Sequence, residues 1–176
     1  VDIDAANLVK KWQQLPFDEC IHSDAKLFIE RLNERLDYVE YNDANYFPDF
    51  SSWMNKVIEW KEKYDPVTTE MFEENGSLHP YAFTRILSEE MKSNDILVGD
   101  CGGNIVVLNH AFETKIGQRY YTNNGNSPMG FSFAGAMGGW FAADDDQNVV
   151  CVIGDGGFNM NIQELQTLLN YNVKLK

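Results

Sequence analysis

The sequence predicts an α/β protein whose larger part is a doubly wound parallel sheet. Three observations carry this. From Ser77 to Lys176, helical and strand signals alternate with short connections. Two short apolar runs, ILVG (96–99) and VVCVI (149–153), each close on an acidic, glycine-bearing turn, as buried parallel strands do when they feed a helix. The segments around them, HPYAFTRILSEEM and FNMNIQELQTLLNYN, space apolar residues three and four apart.

Taken in order, Val1 to Asp4 reads as the end of a buried strand, and Ala5 to Trp12 as a helix broken at Pro16. Ser23 or Asp24 can cap the next helix, with Leu27, Phe28, Leu32 and Leu36 as its apolar positions. Residues 1–37 thus read as the C-terminal end of an α/β domain, too short to be a whole one. Residues 38–76 read as a linker. It opens with polar loop material (YNDAN) and carries one helix, in DFSSWMNKVIEWKEKYD, whose stripe Phe50, Trp53, Met54, Val57, Ile58 and Trp60 should pack on its neighbours. Pro66 ends that helix.

Residues 77–176 form the second domain. Pro80 stands at a helix start, with Phe83, Ile86, Leu87 and Met91 as the inward positions. DILVGD is a strand, NIVVLNHAF a helix opening at Asn104, and RYYTNNGNSPMG a long loop. FSFAGAMGGWFAA is small, apolar and glycine-rich, and QNVVCVI is a buried strand. The last helix should turn Ile162, Leu165, Leu168 and Leu169 inward, and NVKLK opens a further strand. A chain that starts and stops on such elements is expected to be a piece of a longer protein.

Composition narrows the function. With 14 Lys+Arg against 27 Asp+Glu in 176 residues, the formal charge is −13. That opposes a nucleic-acid partner and an anionic membrane surface. No apolar run approaches a membrane span, and no signal peptide is visible. Three scattered cysteines and three scattered histidines fit a reducing, cytoplasmic setting and leave no zinc-ligand spacing.

The strongest constellation is GDGGFNMN, Gly154 to Asn161, between a strand and a helix. Ligands of parallel sheets sit at the carboxyl ends of strands. Glycines there admit close backbone approach, and a helix start offers free N–H groups. Asp155 beside a phosphate calls for a bridging cation, for which Mg²⁺ is the usual choice. Taken alone, the triplet also fits a plain strand-to-helix turn with Asp155 as its cap.

GDGGFNMNIQEL, preceded by SPMGFSFAGAMG (127–138) and VGDCGGN (98–104), resembles the thiamine-diphosphate-dependent enzymes, in their acetolactate synthase-like branch. The resemblance implies the thiamine-diphosphate-binding fold, cut short, preceded by the tail of a central domain that VDID and SDAK (23–26) resemble. It implies thiamine diphosphate and Mg²⁺ as cofactors, with Asp155 as a metal ligand. Gly156 and Gly157 would offer amides to the diphosphate, and Gly103 and Asn104 would reach its other side. Met129 would be the apolar wedge that bends the cofactor, and the carbonyl of Ser127 an acceptor for the aminopyrimidine. The family often has Gln and His where Gly103 and Asn104 stand, and its synthase branch Ser where Gly157 stands. Asp24 lies in a region that touches a flavin in that branch, which makes FAD the one further cofactor suggested, on this Asp alone.

The activity so implied is decarboxylation of a 2-oxo acid and transfer of the two-carbon unit to a second carbonyl, by a homodimer or homotetramer. The alternatives are a simple 2-oxo acid or acyl-CoA decarboxylase of the same family, and a non-catalytic α/β module for a phosphate ligand or protein. No catalytic residue is assigned within the chain. The activating Glu and a second metal ligand, an Asn past Lys176, are expected outside it, so the chain alone should be inactive. Glu164, His110 and the run Asp144 to Asp146 are read as structural or solvated.

Overall fold

The computed structural model describes residues 1–9, 17–43, 46–73 and 76–176. Trp12 and Pro16 of the first predicted helix and its break, and Ala44 and Asn45 of the predicted loop, lie outside the described residues. The chain divides into two compact units, Val1–Lys61 and Glu62–Lys176.

In the first unit, helix α1 (Ala5–Leu8) is capped by Asp4, whose side chain accepts from the Ala6 amide. The expected buried strand at the start is reduced to a single parallel bridge between Asp2 and His22, and Val1 and Ile3 are exposed. Helix α2 (Ala25–Asn42) starts where the sequence placed its cap: Asp24 accepts from the Lys26 and Leu27 amides. It runs on into the first residues of the predicted linker, 38–42, because nothing between Asp37 and Asn42 breaks a helix. Helix α3 (Ser51–Lys63) follows, with Asp49 accepting from the Ser51 amide and hydroxyl. Its apolar stripe is not packed as expected. Phe50, Trp53, Met54, Val57, Ile58 and Trp60 are exposed, and within the helix Trp53 and Trp60 meet edge to face.

The second unit holds the sheet. Three parallel strands lie in the order β2–β1–β3, where β1 is Ile96–Gly99, β2 Arg119–Tyr121 and β3 Val149–Val152. Helices α4 (Pro80–Glu90), α5 (Gly103–Ala111) and α6 (Phe131–Ala142), then α7 (Asp155–Met160) and α8 (Leu165–Tyr171), surround and follow it. Strand β1 is buried on both faces, and its residues alternate between two cores. Ile96 and Val98 pack with Val149 and Ala136 on the α6 side. Leu97 packs with Met91 and Leu108 on the α4–α5 side. Helices on both faces of a parallel sheet are the doubly wound arrangement the sequence predicts. Leu97 and Val98 are fully buried, each contributing about 1.5–3 kcal/mol, so β1 is the anchor of the unit. Beyond β3, Lys176 exchanges backbone hydrogen bonds with Val149 and Cys151 (3.0 and 2.8 Å) in a parallel pattern, as the expected strand opening requires.

Three sequence readings change here. RYY, read as loop, forms β2, an edge strand too short to show a pattern. Helix α4 buries Ala82, Thr84 and Ser88 and leaves Phe83 and Ile86 exposed. Leu87 and Met91 pack on the core as expected, and Ser88 is held inward beside them: its Oγ donates to the Glu113 carbonyl and accepts from the Glu113 amide. The last predicted helix begins early, at Asp155, and breaks at Asn161 before a short 3₁₀ turn (Ile162–Glu164) and α8. Ile162, Leu165 and Leu169 are exposed rather than inward.

Candidate functional site

The carboxyl ends of β1 and β3 are neighbours, since the two strands pair in register from Ile96–Val149 to Gly99–Val152. Each end delivers a turn and a helix start to the same edge. After β1 come Asp100, Cys101 and Gly102, then α5 from Gly103. After β3 come Ile153 and Gly154, then α7 from Asp155. The long loop after β2 brings Ser127 and Met129 to the start of α6.

The structure brings most of the predicted residues together. A Cβ placed on Gly156 would stand 2.7 Å from Met129 Cε, so the methionine methyl lies over that glycine. A Cβ on Gly154 would stand 3.5 Å from Asn104 Nδ2, which puts the Asn104 amide at the β3 turn. Gly157 is buried, and Asp155 is the first helical residue of α7 with its carboxylate exposed. The amides of Asp155, Gly156 and Gly157 belong to the first turn, where donors have no partner within the helix. Gly103 faces open space, with nothing within 4 Å of a Cβ built on it. Ser127 sits in the left-handed region at φ 45°, costing about 1 kcal/mol for a non-glycine residue. Its amide donates to the Asn123 carbonyl (2.9 Å), which closes the loop on itself.

Two residues at this edge escaped the sequence reading. Asp100 is 2% exposed and accepts from the amides of Gly130 (3.1 Å) and Ser132 (3.0 Å) at the start of α6. Asn161 Nδ2 donates to the Gly130 carbonyl (2.8 Å). The available signal was an acid directly after a fully apolar strand, where water cannot satisfy it. Among the described residues, no group of three or more His, Cys, Asp or Glu is placed to hold a metal.

The residues set aside by sequence lie away from this edge or in local roles. Tyr81 Oη and His110 Nδ1 are 3.0 Å apart on the exposed surface. Glu164 accepts from the Thr167 hydroxyl at the start of α8, and Asp146 accepts from Asn94 in a surface turn. No helix among the described residues is long and apolar enough to cross a membrane.

Comparison with known proteins decides what kind of strand-end site this is. Residues 100–176 match the family described as thiamine pyrophosphate enzyme, C-terminal TPP binding domain. This stretch belongs to the thiamine pyrophosphate enzymes. Along 98% of its length the chain is 32% identical to a probable acetolactate synthase large subunit of Methanococcus aeolicus, of which it spans 29%. It is 31% identical over its whole length to the acetolactate synthase large subunit of Lactococcus lactis, of which it spans 28%. A chloroplastic acetolactate synthase of Nicotiana tabacum is 29% identical, and the chain spans 25% of it. The chain thus covers under a third of these relatives, and the TPP-binding match includes every site residue named above, Asp100 and Asn161 among them.

Proposed function

We propose that the protein carrying this chain is a thiamine-diphosphate- and Mg²⁺-dependent, acetolactate synthase-like enzyme. It decarboxylates a 2-oxo acid and joins the two-carbon unit to a second carbonyl. The observation that carries this reading is the placing of Met129 over Gly156 and of Asn104 at Gly154, at the ends of two adjacent parallel strands, in a chain similar to synthase large subunits along its length.

The residues fit the cofactor. Gly156 has no side chain to stand between the first-turn amides of α7 and a diphosphate, and the space over it is taken only by the Met129 methyl, the free end of a flexible side chain. Asp155, exposed beside them, would give one oxygen to Mg²⁺, an ion that completes its shell with phosphate oxygens and water. Asn104 would donate from the β1 side. Met129 would press on the cofactor between its rings and fix their mutual angle, and the Ser127 carbonyl would accept from the aminopyrimidine. When bound, thiamine diphosphate supplies the electron sink for loss of CO₂. The chain's own part is to bind, to orient and to keep the anion's charge neutralised.

Supplying pyruvate, thiamine diphosphate and Mg²⁺ to the full-length protein should give acetolactate and CO₂. Release of acetaldehyde without acetolactate would favour a simple decarboxylase. No turnover above the free cofactor would contradict the enzyme reading.

A further inference from the structure

We propose that Asp100 and Asn161 are positioning residues that clamp Gly130 by its amide and its carbonyl and thereby hold Met129 at the diphosphate turn. The α6 helix starts on Gly130, which has no side chain to cap it. Asp100, 30 residues earlier, does so instead, taking the Gly130 amide on Oδ2 and the Ser132 amide on Oδ1. A buried carboxylate at the positive end of a helix is well placed both for hydrogen bonding and for the dipole. At the other end of the residue, Asn161 Nδ2 donates to the Gly130 carbonyl. Gly130 has φ +88°, and a Cβ there would meet Asn161 Nδ2 at 2.6 Å, so the clamp closes only on glycine.

Met129 is bonded directly to the clamped residue and is itself 49% exposed. Packing alone therefore holds it weakly, and its backbone decides where the methyl lies. The Asp100 carboxylate also fills the space beside Gly157, so β1, α6 and α7 meet on this one group. Being buried, Asp100 acts only through others. The clamp stands on geometry; its effect on chemistry rests on the reading that the cofactor lies over Met129.

The test uses the full-length protein labelled with ¹³C-methyl methionine, the Met129 resonance being assigned by its loss in M129L. D100N presents an amide donor where an acceptor is needed, and N161A removes the other arm. D95N is the control. Asp95 is equally buried and likewise accepts backbone amides, from Lys92 and Asn148, but at the other end of β1. The Met129 methyl should shift in D100N and N161A and stay in place in D95N. Hydrogen–deuterium exchange at the thiazolium carbon of bound cofactor should slow on the order of 10–100-fold in D100N, as a small misplacement does. An unmoved Met129 methyl in N161A and in any folded D100N, or an equal shift in D95N, would overturn the clamp. A shifted methyl with unchanged exchange would support the clamp and contradict the role of Met129. A wild-type protein that binds no thiamine diphosphate would remove the cofactor reading and leave the methyl comparison decisive for the clamp.

Discussion

The methyl group of Met129 occupies the space from which a side chain at Gly156 would grow, 2.7 Å from where its Cβ would stand. The next glycine faces something different. A Cβ on Gly157 would collide with the Asp100 carboxylate and would stand 3.1 Å from Ile153 Cγ1.

The two glycines should therefore respond differently to alanine. In Gly156→Ala the obstacle is the free end of a flexible side chain, which can swing aside at a cost of about 1 kcal/mol or less. In Gly157→Ala the obstacle is a carboxylate fixed by two backbone amides, and overpacking should cost about 1–3 kcal/mol. Denaturation midpoints of the two full-length variants compare them. Equal losses would mean that Asp100 is free to move.

Met129→Ala should leave thiamine diphosphate affinity within about threefold, or roughly 0.7 kcal/mol, because the diphosphate contacts are backbone amides and Asp155. Proton exchange at the thiazolium carbon should slow, and Met129→Leu, nearly volume-conserving, should restore much of the rate. An alanine variant that exchanges at the wild-type rate would make Met129 a core residue only.

How much of this was legible in sequence depends on the range of the interaction. The alternation of β1 with α5 and of β3 with α7 is written in adjacent residues, and so is the pairing of glycines with Asp155 at a strand end. Asp24 announced its helix because a cap acts two and three residues away. The clamp on Gly130 joins residues 30 and 31 positions apart, and no periodicity encodes that. Helix α4 misled for another reason. Its wheel has apolar residues on two sides, and the choice between Phe83 and Ser88 is made by the Glu113 backbone, which only the fold brings near. Strand β2 is three residues long, below the length at which alternation can be read.

Cys151 gives a pH prediction. Burial pushes its thiol above the usual range, the Asp100 charge adds to this, and the Ser132 hydroxyl opposes it in part. Alkylation of Cys151 in the native protein should therefore rise only at pH above that of an ordinary thiol. The folded state holds the proton more tightly than the unfolded one, so this group lowers stability as pH climbs past the unfolded thiol's pKa. Mass-spectrometric labelling at Cys151 across pH checks it, and a midpoint at or below the ordinary thiol value would contradict it.

The full-length protein is expected to be at least a dimer. Phe131, Ala134, Gly135 and Gly138 are the small or apolar residues at helical spacing along α6. The structure turns Gly135 toward Val98 of the sheet, where a Cβ would stand 3.3 Å from Val98 Cγ1. Ala134 and Gly138 remain on the outer side, and Gly138 has nothing within 4 Å of a Cβ built on it. Gly138→Trp should shift the sedimentation of the full-length protein toward the monomer and lower activity with it. An active wild-type monomer would contradict the assembly.

Calorimetric titration of the full-length protein with thiamine diphosphate, with and without Mg²⁺, tests the central assignment most directly, because Asp155 is the one carboxylate assigned to the metal. The wild type should bind the cofactor only with Mg²⁺. Asp155→Ala should keep its fold by circular dichroism and lose affinity ~10-fold or more, at least about 1.4 kcal/mol. Mg²⁺-dependent binding of unchanged affinity in Asp155→Ala would show that the diphosphate is not held at the end of β3.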